Sequence, residues 1–259
     1  MLILLSPSKR LDYESALPTD TYTQPEFLDD AETLIEVLRE YSLEEIRELM
    51  DISEDLAELN VGRYESFETP FTPENAKQSI FAFDGDVYRD FAFEEYDESD
   101  FEFLQNHVRI LSGLYGILRP LDLMQPYRLE MGTSLPNPRG EDLYDFWGDQ
   151  LAESVNRALD AQEDDIILNL ASNQYFDAVD RDILDGRIVS PTFKDERNGS
   201  YMVISFYLKR LRGTMSDWVV RNRIEEPSEL SAFTGRNYEF SVERSTDDEP
   251  VFLRDEDDS

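Results

Sequence analysis

A glycine- and arginine-rich segment, residues 111–132, is where the sequence most clearly indicates chemistry. It opens as LSGLYG, which places Gly113 and Gly116 three residues apart. Glycine is needed where the backbone takes positive φ or where a phosphate approaches backbone N–H groups. After a predicted helix, this spacing indicates a helix-hairpin-helix motif whose amides bind a DNA phosphate. An ordinary turn explains the same two glycines.

Arginines, amides and a tyrosine crowd the remainder of the same segment between two prolines. The guanidinium groups of Arg119 and Arg128 are rigid and planar, which suits phosphate or carboxylate. The segment therefore predicts an anion site. A structural explanation stands beside it, in which Arg128 pairs with Glu130 or Asp122 and fixes a buried loop.

A basic helix, residues 205–223, is the second candidate. It carries five basic side chains against a single acidic one, Asp217, in a chain whose net charge is −34. Lys209 and Arg212 are three residues apart and therefore share one helix face. Such an island requires either an anionic partner or neutralising carboxylates from the same fold.

Two polar segments follow short apolar runs that predict buried strands. Residues 6–12 contain Lys9 and follow the first run, and residues 169–175 follow a run at residues 165–170. Pockets form beyond the ends of sheet strands. If the two strands are neighbours, a pocket is expected whose lining consists of Lys9, Arg128, Asn169 and Ser172. Turn and cap chemistry explains the same serines and asparagines.

The absence of cysteine narrows the chemistry, because it excludes disulfides, thiolate nucleophiles and thiolate-bound metals. His107 is the only histidine, and within a predicted helix it is expected to be a surface or partly buried residue. The 58 acidic residues give no basis for a metal site, since solvation explains them. We predict no metal and no cofactor, and no catalytic residue is assigned.

The elements that must position these residues follow from the apolar periodicity. The pattern predicts a strand at residues 1–5, several helices at 30–83, helices at 97–111 and 141–161, a strand at 165–170, a hairpin around Asn198-Gly199, the basic helix and a final strand pair. This order lacks regular βαβ alternation. We therefore predict a single α+β domain over residues 1–259, with a mixed sheet surrounded by helices.

The overall composition indicates the environment of the protein. Lysine occurs only four times, and 58 acidic residues oppose 24 basic ones. An acidic, lysine-poor surface keeps a protein solvated at high salt, which predicts a halophilic source. No apolar run of about 18 residues and no signal segment is found, so a cytoplasmic monomer without membrane contact is expected. The acidic tail, residues 255–259, is a candidate for disorder.

Taken together, the motifs resemble the YaaA family of peroxide stress resistance proteins. The resembling segments run the full length in the family's order: MLILLSPSKRLDY, FTPENAKQSI with FDGDVY, LSGLYGILRPLDLMQPYRLEMG, DLYDFWGD, LNLASNQYF and SFYLKRLRGTMSDWVVRNR. The resemblance implies a mixed α/β single domain with a helix-hairpin-helix motif, a positively charged cleft and DNA binding. It also implies peroxide tolerance through limited free intracellular iron and less Fenton damage. No settled catalytic activity comes with it.

The resemblance also implies site residues by position. The cleft residues are Lys9, Arg119, Arg128, Lys209 and Arg212, and the hairpin residues are Gly113 and Gly116. Three departures from the family pattern stand out: Asp84 replaces a basic residue, Gln174 replaces a glutamate, and the surface is far more acidic.

Two main functions remain open. The first is an oxidative stress protein that binds double-stranded DNA in the basic cleft. Its net charge repels DNA, and although salt of about 1 M screens this repulsion, the same salt weakens each phosphate contact. The alternative is an enzyme acting on a small anionic or nucleotide-like ligand in the strand-end pocket. Iron limitation through a protein partner is a third possibility.

Overall fold

The computed structural model describes residues 1–256, apart from the side chain of Phe206. Residues 257–259 of the tail, for which disorder was predicted, lie outside the described residues. The strands are β1 Leu2–Leu5, β2 Lys77–Gln78, β3 Val108–Ser112, β4 Gly116–Leu118, β5 Leu123–Met124, β6 Ile166–Leu170, β7 Arg187–Val189, β8 Thr192–Arg197, β9 Ser200–Met202, β10 Glu239–Phe240 and β11 Val251–Arg254.

Helices surround these strands and account for more of the chain. They are α1 Leu28–Arg39, α2 Leu43–Met50, α3 Glu54–Ser66, α4 Ser79–Ala82, α5 Glu98–His107, α6 Leu143–Trp147, α7 Gln150–Gln162, α8 Asn173–Phe176 and α9 Ser205–Asn222, with 3-10 turns at Phe93–Glu95, Pro227–Ala232 and Gly235–Asn237. The predicted α+β fold is confirmed. No helix among residues 1–256 is long and apolar enough to cross a membrane.

The central sheet has the strand order β4-β3-β1-β6-β7. β1 lies in its middle because all four of its residues are apolar and fully buried. β3 and β6 run parallel to β1 on opposite sides, with Leu5 beside Ile110 and beside Leu170. β7 continues in parallel, and β4 is the antiparallel edge. The chain therefore changes direction across the sheet at β1.

A second sheet has the order β10-β11-β8-β9. Its β8–β9 hairpin turns at Asn198 and Gly199, which both take positive φ, as the Asn-Gly dipeptide predicts. β11 adds to β8 in parallel. The predicted hairpin is confirmed. Of the predicted final strand pair, the second strand forms as β11, while the first, expected at residues 238–244, is reduced to the two residues of β10.

The predicted helix at residues 97–111 is too long, because α5 ends at His107. Val108 and Ile110 instead extend β3 and pair beside β1, where β-branched side chains fit a buried pleated surface. β4 then follows Gly116 antiparallel to β3. The structure thus places two antiparallel strands where a helix-hairpin-helix motif requires two helices, and the motif is not formed at these glycines.

The predicted helix at residues 141–161 is divided into α6 and α7. Gly148 lies between them at φ +46°, a conformation that ends α6. Trp147, fully buried, donates from its indole nitrogen to the carbonyl of Gly113 at 3.1 Å. This bond ties α6 to the turn between β3 and β4, so the turn is part of the core packing.

Candidate functional site

A cavity of about 520 Å³ lies at the carboxyl ends of β1 and β6. Residues 6–10, after β1, form one wall, and Ser172, after β6, lies in the wall beside them. The loop at residues 84–89 and the helix α9 complete the lining. In sheets of this kind ligands bind beyond the carboxyl ends of strands where the strand order reverses, which here is at β1. The topology therefore marks this cavity as the candidate site.

Ser6 and Ser172 join the two strand-end segments. The backbone N–H of Ser172 donates to Oγ of Ser6 at 2.8 Å, and the two hydroxyl oxygens lie 3.2 Å apart. The hydroxyl of Tyr88 donates to the carbonyl of Ser6 at 2.7 Å, which fixes the loop at residues 84–89 against residues 6–10. The parallel pairing of β1 and β6 thus brings together two polar segments that are more than 160 residues apart in sequence.

Three cations at the rim form ion pairs with carboxylates of the same cavity. Nζ of Lys9 lies 2.7 Å from a carboxylate oxygen of Glu130. Asp84 binds both Arg10, at 2.9 Å, and Arg89, at 3.0 Å. The aspartate that departs from the family pattern therefore holds two arginines in place. It does not leave the rim negatively charged.

Lys209 and Arg212 supply the unneutralised charge. Both line the cavity from α9, on the shared helix face that their spacing predicts. Among the described residues no carboxylate lies within ion-pair distance of either side chain, whereas Arg210, between them, binds Asp90 at 3.4 Å. The wall formed by α9 is therefore the positive side of the cavity.

Arg212 is distinct among the arginines of the chain. Within residues 1–256, every other arginine makes a hydrogen bond, an ion pair or a contact with an aromatic ring. Arg212 is half-buried, and its removal from water lowers the pKa of its guanidinium to about 10. Taking an unpaired charge out of water is unfavourable, and a bound anion would offset that cost.

Most of the basic charge on α9 has a structural explanation. Its other arginines are bound by acidic residues from the segment at 90–100: Arg210 by Asp90, Arg221 by Glu95 and Arg223 by Asp100. The prediction that neighbouring carboxylates neutralise the island is thus correct for three of its five basic residues. Lys209 and Arg212 are the exceptions, and they are the two that line the cavity.

Arg128 does not line the cavity, but it forms an ion pair with a residue that does. Its guanidinium lies 3.4 Å from Glu130, the partner predicted by the structural explanation, and its Nε atom is buried without a hydrogen-bond partner. Its backbone carbonyl accepts a hydrogen bond from Tyr64. Because Glu130 also binds Lys9, Arg128 acts on the cavity only by positioning that carboxylate.

Asn169 lines a smaller neighbouring cavity of about 380 Å³, which shares Arg212 with the first. Its side-chain oxygen accepts from the N–H of Ala171 at 3.1 Å, and its amide nitrogen lies 3.4 Å from Oγ of Ser190. The expected pocket of Lys9, Arg128, Asn169 and Ser172 is therefore formed only in part. Lys9 and Ser172 share one cavity, and Asn169 faces the other side of Arg212.

The glycines and Arg119 of the segment at residues 111–132 belong to the packing of the core. A Cβ on Gly113 would lie 2.3 Å from the carbonyl oxygen of Leu129, and Gly116 has φ +67° against the ring of Trp147. Arg119 binds the buried carboxylate of Asp122 at 2.9 Å. These residues do not line the cavity, and the plain-turn explanation of the glycines agrees with the structure.

Arg10, Tyr88 and Arg89 are cavity residues that sequence reasoning did not single out. In the sequence, only the motif FDGDVY, residues 83–88, pointed to the wall formed by residues 84–89.

His107 lies outside the cavity, at the amino-terminal end of β3, with Nδ1 3.1 Å from the carbonyl of Met1 and its ring stacked on Phe103. Within residues 1–256, no three His, Asp or Glu side chains are grouped so that they could hold a metal ion.

Comparison with known families gives a match over almost the whole chain. The sequence model of a family described as "Peroxide stress protein YaaA" matches residues 1–244. The matched range contains the whole central sheet, α9 and every residue that lines the cavity.

Proposed function

The chain belongs to the peroxide stress protein YaaA family, and on that premise we propose that it serves the oxidative stress response by binding a phosphate-bearing ligand in the cavity beyond β1 and β6. The ligand is a nucleotide unit, either free or within a nucleic acid strand. Binding, and not a metal centre or a covalent step, is the activity that we assign to the cavity residues.

The observation that carries this proposal is Arg212, a half-buried arginine with no protein partner among the described residues. A guanidinium presents a planar fork of N–H donors that matches phosphate oxygens, and charge-assisted bonds of this kind are among the strongest in proteins. Lys209 adds an ammonium on the same helix face. A volume of about 520 Å³ falls within the range of small-molecule sites.

Double-stranded DNA, the first function considered, fits this geometry less well than one nucleotide unit does. Proteins that follow a duplex neutralise several phosphates with separate cations. Here Arg119, Arg210, Arg221 and Arg223 are each bound to a carboxylate of the same chain. Two unneutralised cations in one cavity suit a single phosphate group, so a strand would enter by one nucleotide at a time.

The cellular part of the proposal is that ligand binding limits free iron and the Fenton damage that iron causes. A strain lacking this protein is complemented with the wild type or with Arg212→Met, then challenged with hydrogen peroxide and assayed for chelatable iron. We expect the wild type to restore survival and to lower free iron, and Arg212→Met to do neither. Full protection by Arg212→Met would contradict the link between the cavity and iron.

The binding test uses calorimetry with inorganic phosphate, the four ribonucleoside monophosphates and 12-nucleotide single- and double-stranded DNA. Arg212→Met and Lys209→Met are expected to weaken binding at least tenfold. Arg187→Met, which removes an exposed ion pair with Asp248 outside the cavity, is the matched control. Absence of binding by every probe would overturn the proposal. Chromatography of the recovered ligand detects any turnover, which would favour the alternative of an enzyme.

A further inference from the structure

A second cavity, of about 480 Å³, adjoins the phosphate cavity. Asp84, Tyr88 and Arg89 line both cavities. Two paired segments of the chain run along both cavities. Leu11 pairs with Phe83 in an antiparallel bridge, and the N–H of Asp84 donates to the carbonyl of Arg10 at 2.9 Å. One molecule could therefore occupy both.

The second cavity is lined by aromatic rings, where the first is lined by charges. The rings belong to Phe81, Phe83, Tyr88, Phe91 and Phe93. Phe91 and Phe93 are stacked with their centres 5.1 Å apart, and Phe81 meets Phe93 edge-on at 5.0 Å. Phe83 packs separately on Tyr88, with the ring centres 5.3 Å apart. Aromatic surfaces of this kind stack planar heterocycles, including all nucleobases.

A buried ammonium and a carboxylate add polar recognition to these rings. The side chain of Lys77 is only 7% exposed, and its Nζ donates to the carbonyl of Ser15 at 3.2 Å and lies 3.9 Å from Asp12. Burial lowers the pKa of Lys77, and an ammonium has three donors in all. A ring nitrogen or exocyclic oxygen of a base can accept from Lys77, and Asp12 can accept from an amino group.

The distribution of lysine supports a shared role for the two cavities. The chain has four lysines, Lys9, Lys77, Lys194 and Lys209, and otherwise uses arginine. Lys9 and Lys209 line the phosphate cavity, and Lys77 lines the aromatic one. Three of the four therefore lie in adjoining cavities. A compact ammonium with rotatable donors suits single phosphate or base atoms better than the wide fork of arginine does.

We propose that the two cavities form one site for a nucleoside phosphate, with the phosphate at Lys209 and Arg212 and the base in the aromatic cavity beside Lys77. The sugar lies at the boundary made by Asp84 and Arg89, where a carboxylate can accept from a ribose hydroxyl. This inference rests on the proposed function, because it needs the phosphate to be held at α9. It adds the base as the second recognised group.

The test compares ligands that differ by one group, using calorimetry on the full-length protein. The probes are the four ribonucleoside monophosphates, ribose 5-phosphate, inorganic phosphate and adenosine. We expect at least one monophosphate to bind ten times more tightly than ribose 5-phosphate. Lys77→Met should weaken that monophosphate about tenfold and change ribose 5-phosphate by less than twofold. Arg212→Met should weaken both, and Lys194→Met, on β8, is the matched control.

The outcomes separate this inference from the proposed function. If ribose 5-phosphate binds as tightly as every monophosphate, the base subsite is wrong and the phosphate site stands. If no phosphate-bearing probe binds, both are wrong. The comparison among ligands uses the wild type alone, so it decides the question even if Lys77→Met fails to fold. A structure with the tightest monophosphate must place its base among the aromatic rings, and a base outside them overturns the inference.

Discussion

Arg212 carries a charge that no carboxylate of the fold neutralises. Its effect on folding stability should be measurable without any ligand. Burial lowers the pKa of its guanidinium from its usual value to about 10, so the unfolded chain binds the proton more tightly than the folded one. The charge therefore reduces stability at every pH below about 10, and stability is recovered only as the pH rises above 10.

Arg212→Met should therefore stabilise the free protein at pH 7. Methionine keeps an unbranched apolar stem and removes the half-buried charge, which should raise the unfolding free energy on the order of 2 kcal/mol. Urea denaturation measures the change. Arg210→Met, on the same helix, removes a charge that is paired with Asp90 and should not stabilise. Equal destabilisation by both variants would show that Arg212 has a structural partner.

His107 should make stability depend on pH in a narrow window. Burial lowers its pKa below the usual 6.5, so as the pH falls the unfolded chain takes up this proton first and the unfolding free energy decreases. The decrease begins near pH 6.5, and the slope of the unfolding free energy against pH approaches the value for one bound proton. Because His107 is the only histidine, the difference between the wild type and His107→Gln across pH 5.5 to 7.5 isolates it. Parallel curves for the two proteins would contradict this prediction.

The turn between β3 and β4 requires glycine at position 116, both for its backbone conformation and for its packing. Gly116 has φ +67°, and a Cβ there would lie 2.7 Å from the ring of Trp147 and 2.9 Å from Leu151. Gly116→Ala should destabilise by about 3 kcal/mol, through a strained backbone and an overfilled core. Gly62→Ala, in α3 with open space around it, should stabilise by up to about 1 kcal/mol.

Thermal or urea unfolding of these two variants tests the role of the turn. The structural role predicts that nucleotide affinity is unchanged in any Gly116→Ala protein that remains folded. Unchanged stability together with lost DNA binding would instead support the helix-hairpin-helix interpretation of the same glycine. The two roles thus give opposite results in two independent measurements.

Elements whose signals are local could be predicted from the sequence. Apolar runs predicted β1 and β6, and Asn198-Gly199 predicted the β8–β9 turn. The end of α5 could not be predicted, because Val108 leaves the helix to pair beside β1. That pairing joins residues about 100 positions apart, and local periodicity contains no information about it.

The candidate site was predicted in pieces and could not be assembled from the sequence. Lys9, Ser172, Lys209 and Arg212 were each selected, but for two different sites. Their convergence depends on β1 pairing with β6 and on α9 packing against the loop at residues 84–89. A Cβ on Gly213 of α9 would lie 1.8 Å from the carbonyl oxygen of Val87, so this approach requires a glycine. Arg119, which the sequence groups with these residues, does not line the cavity and binds Asp122.

For the whole molecule, the net charge of −34 sets how stability should respond to salt. Repulsion among 58 acidic side chains opposes the compact state, and raising the salt from 0.1 to 1 M shortens the Debye length from about 10 to 3 Å. We expect the melting temperature to rise continuously between 0.1 and 2 M KCl, as the predicted halophilic source requires. A melting temperature that falls over this range would contradict that prediction.

Salt should also distinguish the ligand, because affinity for nucleic acid falls with salt in proportion to the number of phosphates neutralised. The slope of log K against log salt concentration is about −0.9 per phosphate on duplex DNA, so a cleft with six contacts gives about −5. Lys209 and Arg212 together neutralise one phosphate group, which limits the slope to about −1. Aromatic stacking of a base is insensitive to salt and keeps the ligand bound at molar concentrations.

Titrations of one monophosphate and of a 12-base-pair duplex between 0.1 and 2 M KCl measure both slopes. We expect a slope no steeper than about −1 for the monophosphate, shallower in Lys209→Met and unchanged in the control Arg187→Met. A duplex that binds with a slope near −5 would require cations outside the cavity. Since the described arginines beyond it are engaged within the fold, such a result would mean that their ion pairs open when DNA binds.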